Sequence, residues 1–124
     1  MNPLIPVMAG GALGSAGRYL TGRFTLSFFG PDWPWGTMTV NLLGGLLMGL
    51  LTGALARVSA PEGWRLFLAI GVLGGFTTFS SFSLDTVAMV ERGAVLLALG
   101  YVLVSVIGSI VALFAGLSIV RVAA

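Results

Sequence analysis

Cysteine, histidine and lysine are missing from this chain; its six basic residues are all arginine. Without cysteine or histidine there are no disulfides, no zinc sites of the usual nitrogen and sulfur kind, and no histidine proton relays. Charge of either sign is scarce. Only 8% of the 124 residues are charged and 57% are hydrophobic, whereas an ordinary soluble domain is about 25% charged. The acids are Asp32, Glu62, Asp85 and Glu91; the bases are Arg18, Arg23, Arg57, Arg65, Arg92 and Arg121. The net charge of +2 is spread along the chain, so no nucleic-acid partner is expected. Met1-Asn2-Pro3 lacks the basic start of a signal peptide, so the first apolar stretch is expected to remain as a membrane helix.

Length and hydropathy point to an all-α integral membrane protein, one domain over 1–124. A helix needs about 20 apolar residues to cross a bilayer core, and four such segments consume nearly the whole chain. They run from about Leu4 to Phe28, Thr37 to Arg57, Trp64 to Glu91 and Ala94 to Val120. The links carry turn chemistry: Gly30-Pro31-Asp32-Trp33-Pro34-Trp35-Gly36, then Ser59-Ala60-Pro61-Glu62-Gly63, then Arg92-Gly93. Trp33, Trp35 and Trp64 fall at boundaries, as an aromatic belt would. Small residues recur every four positions. Gly10, Gly14, Arg18 and Gly22 share one face; Asn41, Gly45, Gly49 and Gly53 share another; Gly108, Ala112 and Gly116 form a third. Such stripes let helix backbones approach closely, and close packing alone accounts for their glycines.

The third segment is unusual. About 28 residues of helix would reach roughly 42 Å, longer than the bilayer core. In its middle lies Gly74-Gly75-Phe76-Thr77-Thr78-Phe79-Ser80-Ser81-Phe82-Ser83. Two readings stay open. The helix is interrupted there, exposing carbonyls suited to a cation, because non-helical backbone at membrane depth is tolerated only within protein or beside a wet cavity. Alternatively it is unbroken, with Ser and Thr bonded back to carbonyls. Arginine counts leave sidedness almost unbiased: Arg57, Arg65 and Arg121 on one side face Arg23 and Arg92 on the other. Both insertion directions are then accessible, and with them an antiparallel homodimer, unless one or two of these arginines fix a single direction.

No acid–base pair, activated nucleophile or phosphate-binding glycine loop stands out, so an enzyme is not expected. What remains are sparse neutral donors: Asn41 in the second segment, Thr77, Thr78, Ser80, Ser81 and Ser83 in the third, and Tyr101, Ser105 and Ser109 at four-residue spacing in the fourth. Amides and hydroxyls can donate to an anion. Cation channels use carboxylate rings, and the first, second and fourth segments carry no carboxylate. Phe79 and Phe82 share a face; their positive ring edges suit an anion, and packing or lipid contact suits them equally. Arg18, on the glycine stripe, either draws anions to a pore mouth or snorkels to the interface. The residues alone indicate an anion path without choosing the ion.

The motifs carry a resemblance. Gly10-Gly11-Ala12-Leu13-Gly14-Ser15-Ala16-Gly17-Arg18-Tyr19, Gly36-Thr37-Met38-Thr39-Val40-Asn41-Leu42-Leu43-Gly44 and Gly74-Gly75-Phe76-Thr77-Thr78-Phe79-Ser80-Ser81-Phe82 resemble, in order, the signatures of the CrcB/Fluc fluoride-channel family. The resemblance covers essentially the whole chain. It implies a dual-topology, antiparallel homodimer in the bacterial inner membrane, with two pores, each lined by both subunits, and passive fluoride export that confers fluoride resistance. It implies that Phe79 and Phe82 turn ring edges to fluoride and that Asn41 donates to it. Tyr101, Ser105 and Ser109 would form a polar track, with Thr78 and Ser81 nearby, and Arg18 would sit at a vestibule. It further implies a structural sodium ion held by backbone carbonyls, placed here on Gly74 and Thr77. Two positions depart from the family pattern: Leu113 stands where some members continue the track with threonine, and Asp85 where glutamate is common.

Two rivals make different demands. A small proton-coupled exporter requires a membrane-embedded glutamate in the first helix, and none lies between Leu4 and Phe28. A non-transporting membrane scaffold requires only that purified vesicles show no conductance.

Overall fold

The computed structural model describes residues 2–123, and among them every regular element is helical. Helix α1 spans Leu4–Phe29 and α2 spans Trp35–Leu55. A third, bent unit begins with α3 (Glu62–Arg65), runs through a π-helical segment (Leu66–Leu73) into α4 (Gly74–Phe76), and resumes after two extended residues as α5 (Phe79–Glu91). Helix α6 spans Val95–Ala123.

Among the described residues, three units are long and apolar enough to cross a membrane: Trp35–Leu55, Glu62–Glu91 and Val95–Ala123. Four were expected. Helix α1 has the length, at 26 residues, but its glycines, Pro6, Arg18 and Arg23 dilute its hydropathy. At 1.5 Å per residue, α6 reaches roughly 43 Å, more than an untilted crossing requires. Large side chains point outward: Leu13, Leu20, Phe24, Leu96 and Phe114 are all exposed, as befits a molecule whose solvent is lipid. Buried positions are largely small.

The small-residue stripes do what their spacing suggests. Helix α2 lies along α6, and α1 lies along the π-helical segment and α4. A Cβ on Gly49 would overlap the Leu113 carbonyl, one on Gly45 would come within 2.6 Å of the Ser109 oxygen, and one on Gly116 would meet the backbone of Leu46 and Leu50. Gly10 and Gly14 sit equally tightly against the backbone of Phe67 and Val72. With no hydrophobic drive between helices in lipid, such close backbone packing is what holds them.

Helix ends follow local chemistry. Gly30, at φ +79°, closes α1 by donating to the Leu26 carbonyl at 3.0 Å, and Pro31 follows. After α5, Gly93 at φ +87° donates to Val90 and Ala94 donates to Met89, at 3.0 and 2.9 Å. This paired closure is a Schellman motif, which demands a left-handed residue that glycine supplies without penalty. Helix α2 starts two residues before the expected Thr37, after Pro34, and ends before Arg57. The latter's guanidinium reaches the Arg121 carbonyl at 3.4 Å, so the C-terminal ends of α2 and α6 lie together.

The π-helical turns were not expected. They lie where α1 presses backbone to backbone, but an all-apolar run such as Leu66–Leu73 carries no periodicity that separates π from α winding. Gly49→Leu is expected to destabilise the fold by about 1–3 kcal/mol or more, the range for overpacked cores. A lowered thermal unfolding midpoint in detergent checks this, with Gly100→Ala, whose Cβ meets open space, as the neutral control.

Candidate functional site

The expected interruption of the third segment falls on Thr77 and Thr78. Thr77 sits at φ −82°, ψ 158° and Thr78 at φ −152°, ψ 123°, both extended. Backbone stretched out at membrane depth must find partners inside the protein. Asn41, on α2, supplies them. Its Oδ1 accepts the Thr78 N–H at 2.8 Å and its Nδ2 donates to the Thr78 carbonyl at 2.9 Å. The Thr78 hydroxyl in turn accepts the Ser81 N–H at 3.1 Å, capping α5. On the other side of the break, Arg18 Nε donates to the Gly75 carbonyl at 3.1 Å. The half-buried Arg18 is therefore tied to the break by this bond rather than only reaching for the interface.

Beside the break opens a cavity of about 410 Å³. Its polar lining comes from Asn41, Thr77, Thr78, Ser105 and Ser109, its aromatic lining from Phe79 and Phe82. No carboxylate lines it among the described residues. Ser105 is 3% exposed and its hydroxyl has no hydrogen-bond partner. Buried polar atoms are almost always paired, and this one has no partner within the chain. Phe79, 78% exposed, stands on the rim, while Phe82 is buried; their ring centroids are 5.6 Å apart. Leu113 forms part of the same wall, where a longer polar track would have placed threonine.

The remaining expected residues are distributed elsewhere. Tyr101 is fully buried. Its ring packs 5.2 Å from Phe82 and edge-on to Trp33 at 5.6 Å, and its hydroxyl donates to Asp85 Oδ2 at 3.1 Å. Asp85 belongs to a second cavity of about 330 Å³, lined also by Thr37, Arg92 and Trp33. Ser81 lies in a third, of about 280 Å³, with Arg18, Arg23, Thr37 and Thr78. Thr78 therefore touches both the cavity with the orphan hydroxyl and the arginine-lined one. Gly74 is exposed and Thr77 half-buried at the bend itself.

Sequence reasoning missed Thr37, which lines two of these cavities. Its position one turn before Asn41, on the same face of α2, was the available signal. It also missed the Tyr101–Asp85 bond. No periodicity could have supplied that, since it joins two helices.

A bundle of apolar helices with a bent third unit, and beside the bend a largely apolar cavity whose few polar groups are neutral, defines a helical membrane protein. The comparisons with known proteins identify it further. The family described as CrcB-like protein, Camphor Resistance (CrcB), matches residues 5–117. "Fluoride-specific ion channel FluC" of Caulobacter sp. (strain K31) is 54% identical over 123 residues, covering 98% of this chain and 96% of the relative. The proteins of the same name from Agrobacterium fabrum and Mesorhizobium japonicum are 53% and 51% identical, covering 93% and 98% of this chain and 93% and 98% of their own. The chain belongs to the CrcB family. That is a family of ion channels and not of enzymes, and the chain is a multi-pass protein of the bacterial inner membrane.

Ser105→Ala deletes a hydroxyl that holds no other group in place. Its thermal unfolding midpoint in detergent is expected to stay level or rise, because removing an unpaired buried polar atom relieves about 1–3 kcal/mol of desolvation.

Proposed function

We propose that this chain conducts fluoride passively down its electrochemical gradient, exporting it and conferring resistance. It works as an antiparallel homodimer of four-span subunits with two pores, each lined by both copies. The observation that carries the reading is the Ser105 hydroxyl, buried and unpartnered on the wall of a cavity furnished with neutral donors. The shared name of relatives more than half identical supports fluoride as the ion.

Fluoride is small and tightly hydrated, so a path for it must replace water with donors. Asn41 retains one amide hydrogen beyond that given to Thr78. Thr78, Ser105 and Ser109 carry hydroxyls on the same wall, with Ser81 and Tyr101 extending the polar surface on either side. Phe79 and Phe82 offer positive ring edges that attract an anion without a full charge that would trap it. Chloride, larger and less tightly hydrated, gains less from such donors. Arg18, beside Arg23 in the third cavity, concentrates anions at the entrance. The open side of the cavity, with Phe79 on its rim, is the surface that a second copy completes. Helix α1 serves as the fourth span, its arginines tolerated because Arg18 is bonded within the protein.

A structural sodium ion fits the carbonyls of Gly74 and Thr77. In an unbroken helix they would accept from Thr78 N–H and Ser81 N–H, but those donors go instead to Asn41 Oδ1 and Thr78 Oγ1. Neutral carbonyl oxygens released in this way suit a hard cation. When bound, it would supply positive charge to the carbonyl oxygens freed at the break.

Fluoride efflux from liposomes containing the purified protein tests the conduction, with chloride as control; fluoride-impermeable vesicles would end the reading. Phe82→Ile is expected to slow efflux roughly two- to tenfold, matching an aromatic contribution of about 0.5–1.5 kcal/mol. Ser105→Ala is expected to slow it roughly ten- to hundredfold, as loss of a hydrogen bond to a charged group. Because the chain has no cysteine, topology can be read cleanly. A single Ala60→Cys should be labelled by an impermeant reagent about equally from the two faces of the membrane. Labelling from one face alone would exclude antiparallel assembly.

A further inference from the structure

We propose that Asn41 is the positioning residue of the cation site: its side-chain amide draws the Thr78 N–H away from the Gly74 carbonyl and so creates the ligand. The inference rests on the sodium reading above and adds a role for a residue otherwise assigned to the anion path.

The hydrogen-bond pattern around the break carries the argument. The Leu73 carbonyl accepts both the N–H and the hydroxyl of Thr77, each at 3.0 Å. The Gly75 carbonyl accepts from Arg18 at 3.1 Å, and the Thr78 carbonyl from Asn41 at 2.9 Å. Gly74 is different. Its helical donor, the Thr78 N–H, points to Asn41 Oδ1 at 2.8 Å. The Ser81 N–H that would serve Thr77 is held by the Thr78 hydroxyl at 3.1 Å. That arrangement exists only because Thr78 is extended, and Asn41 grips both sides of Thr78 to keep it so.

Asn41 is well placed for this task. It is half-buried on α2, and Gly44, three residues on, lies directly against the Thr77 methyl, so the two chain segments run together at the break. The amide offers one acceptor and two donors, so it can hold the Thr78 N–H and carbonyl together and still present an N–H to the cavity. One side chain thus couples the cation site to the anion path. If the acceptor were removed, the Thr78 N–H would be free to return to Gly74 and the α-helical register would close over the break.

The experiment uses the full-length protein in detergent. Thermal unfolding is followed by tryptophan fluorescence while sodium chloride replaces choline chloride at constant ionic strength. A ligand that binds only the folded state raises the midpoint in step with its occupancy. The wild type should show a saturable rise. Asn41→Leu, similar in volume and unable to bond Thr78, should need at least tenfold more sodium for half the rise. Asn41→Asp, which sets a negative charge in the path, should slow fluoride efflux. A wild-type sodium response in Asn41→Leu overturns the inference. Should Asn41→Leu fail to fold, Asn41→Ala, which removes the same two bonds to Thr78, is titrated in its place and read in the same way. A wild type indifferent to sodium but permeable to fluoride removes the cation site and this inference with it, leaving the conduction proposal standing.

Discussion

A peptide group inside a bilayer has no water to turn to, and each one left unpaired costs several kcal/mol. Most of this molecule obeys that constraint by winding into helix. At Thr77 and Thr78 it does not, and much of the surrounding structure answers for the lapse. Asn41 takes the N–H and carbonyl of Thr78, the Thr78 hydroxyl takes the first free N–H it can reach in α5, and Arg18 takes the Gly75 carbonyl. Two other helices, α1 and α2, supply partners beside the Thr78 hydroxyl itself, so the bend belongs to the tertiary structure and not to the local sequence alone.

Close backbone packing makes the repair possible. Asn41 reaches the break because α2 can approach it, and α2 approaches because Gly44 has no side chain to hold Thr77 away. Gly10 and Gly14 bring α1, and with it Arg18, against the same unit. The glycines and the polar residues on the stripes therefore belong to one arrangement: the first set the distance, and the second use it.

Much of this was legible in the sequence. Hydropathy and length pointed to the helices, Pro and Gly to their ends, and the stretch from Gly74 to Ser83 was where an interruption was weighed against an unbroken helix; the break falls within it, at Thr77 and Thr78. The stripes foretold close approach. The cavity with the orphan hydroxyl gathers Asn41, Thr78, Phe79, Phe82, Ser105 and Ser109, all of them singled out beforehand. What stayed hidden depends on distance across helices. Tyr101 and Asp85 are joined through space, not by spacing, and Ser81 lines the arginine-lined cavity and not the one with the orphan hydroxyl. The π-helical winding of Leu66–Leu73 leaves no trace in a run of uniformly apolar residues. Of the four expected spans, α1 is the one that length and composition do not mark among the described residues, since its glycines, Pro6, Arg18 and Arg23 dilute its hydropathy.

The Schellman closure at Gly93 has a consequence for biogenesis. It leaves only three residues, 92–94, between α5 and α6, too few to reach from one face of a bilayer to the other. The last two apolar units must therefore enter the lipid as a hairpin. With a link this short, neither of these two units can be inverted without the other.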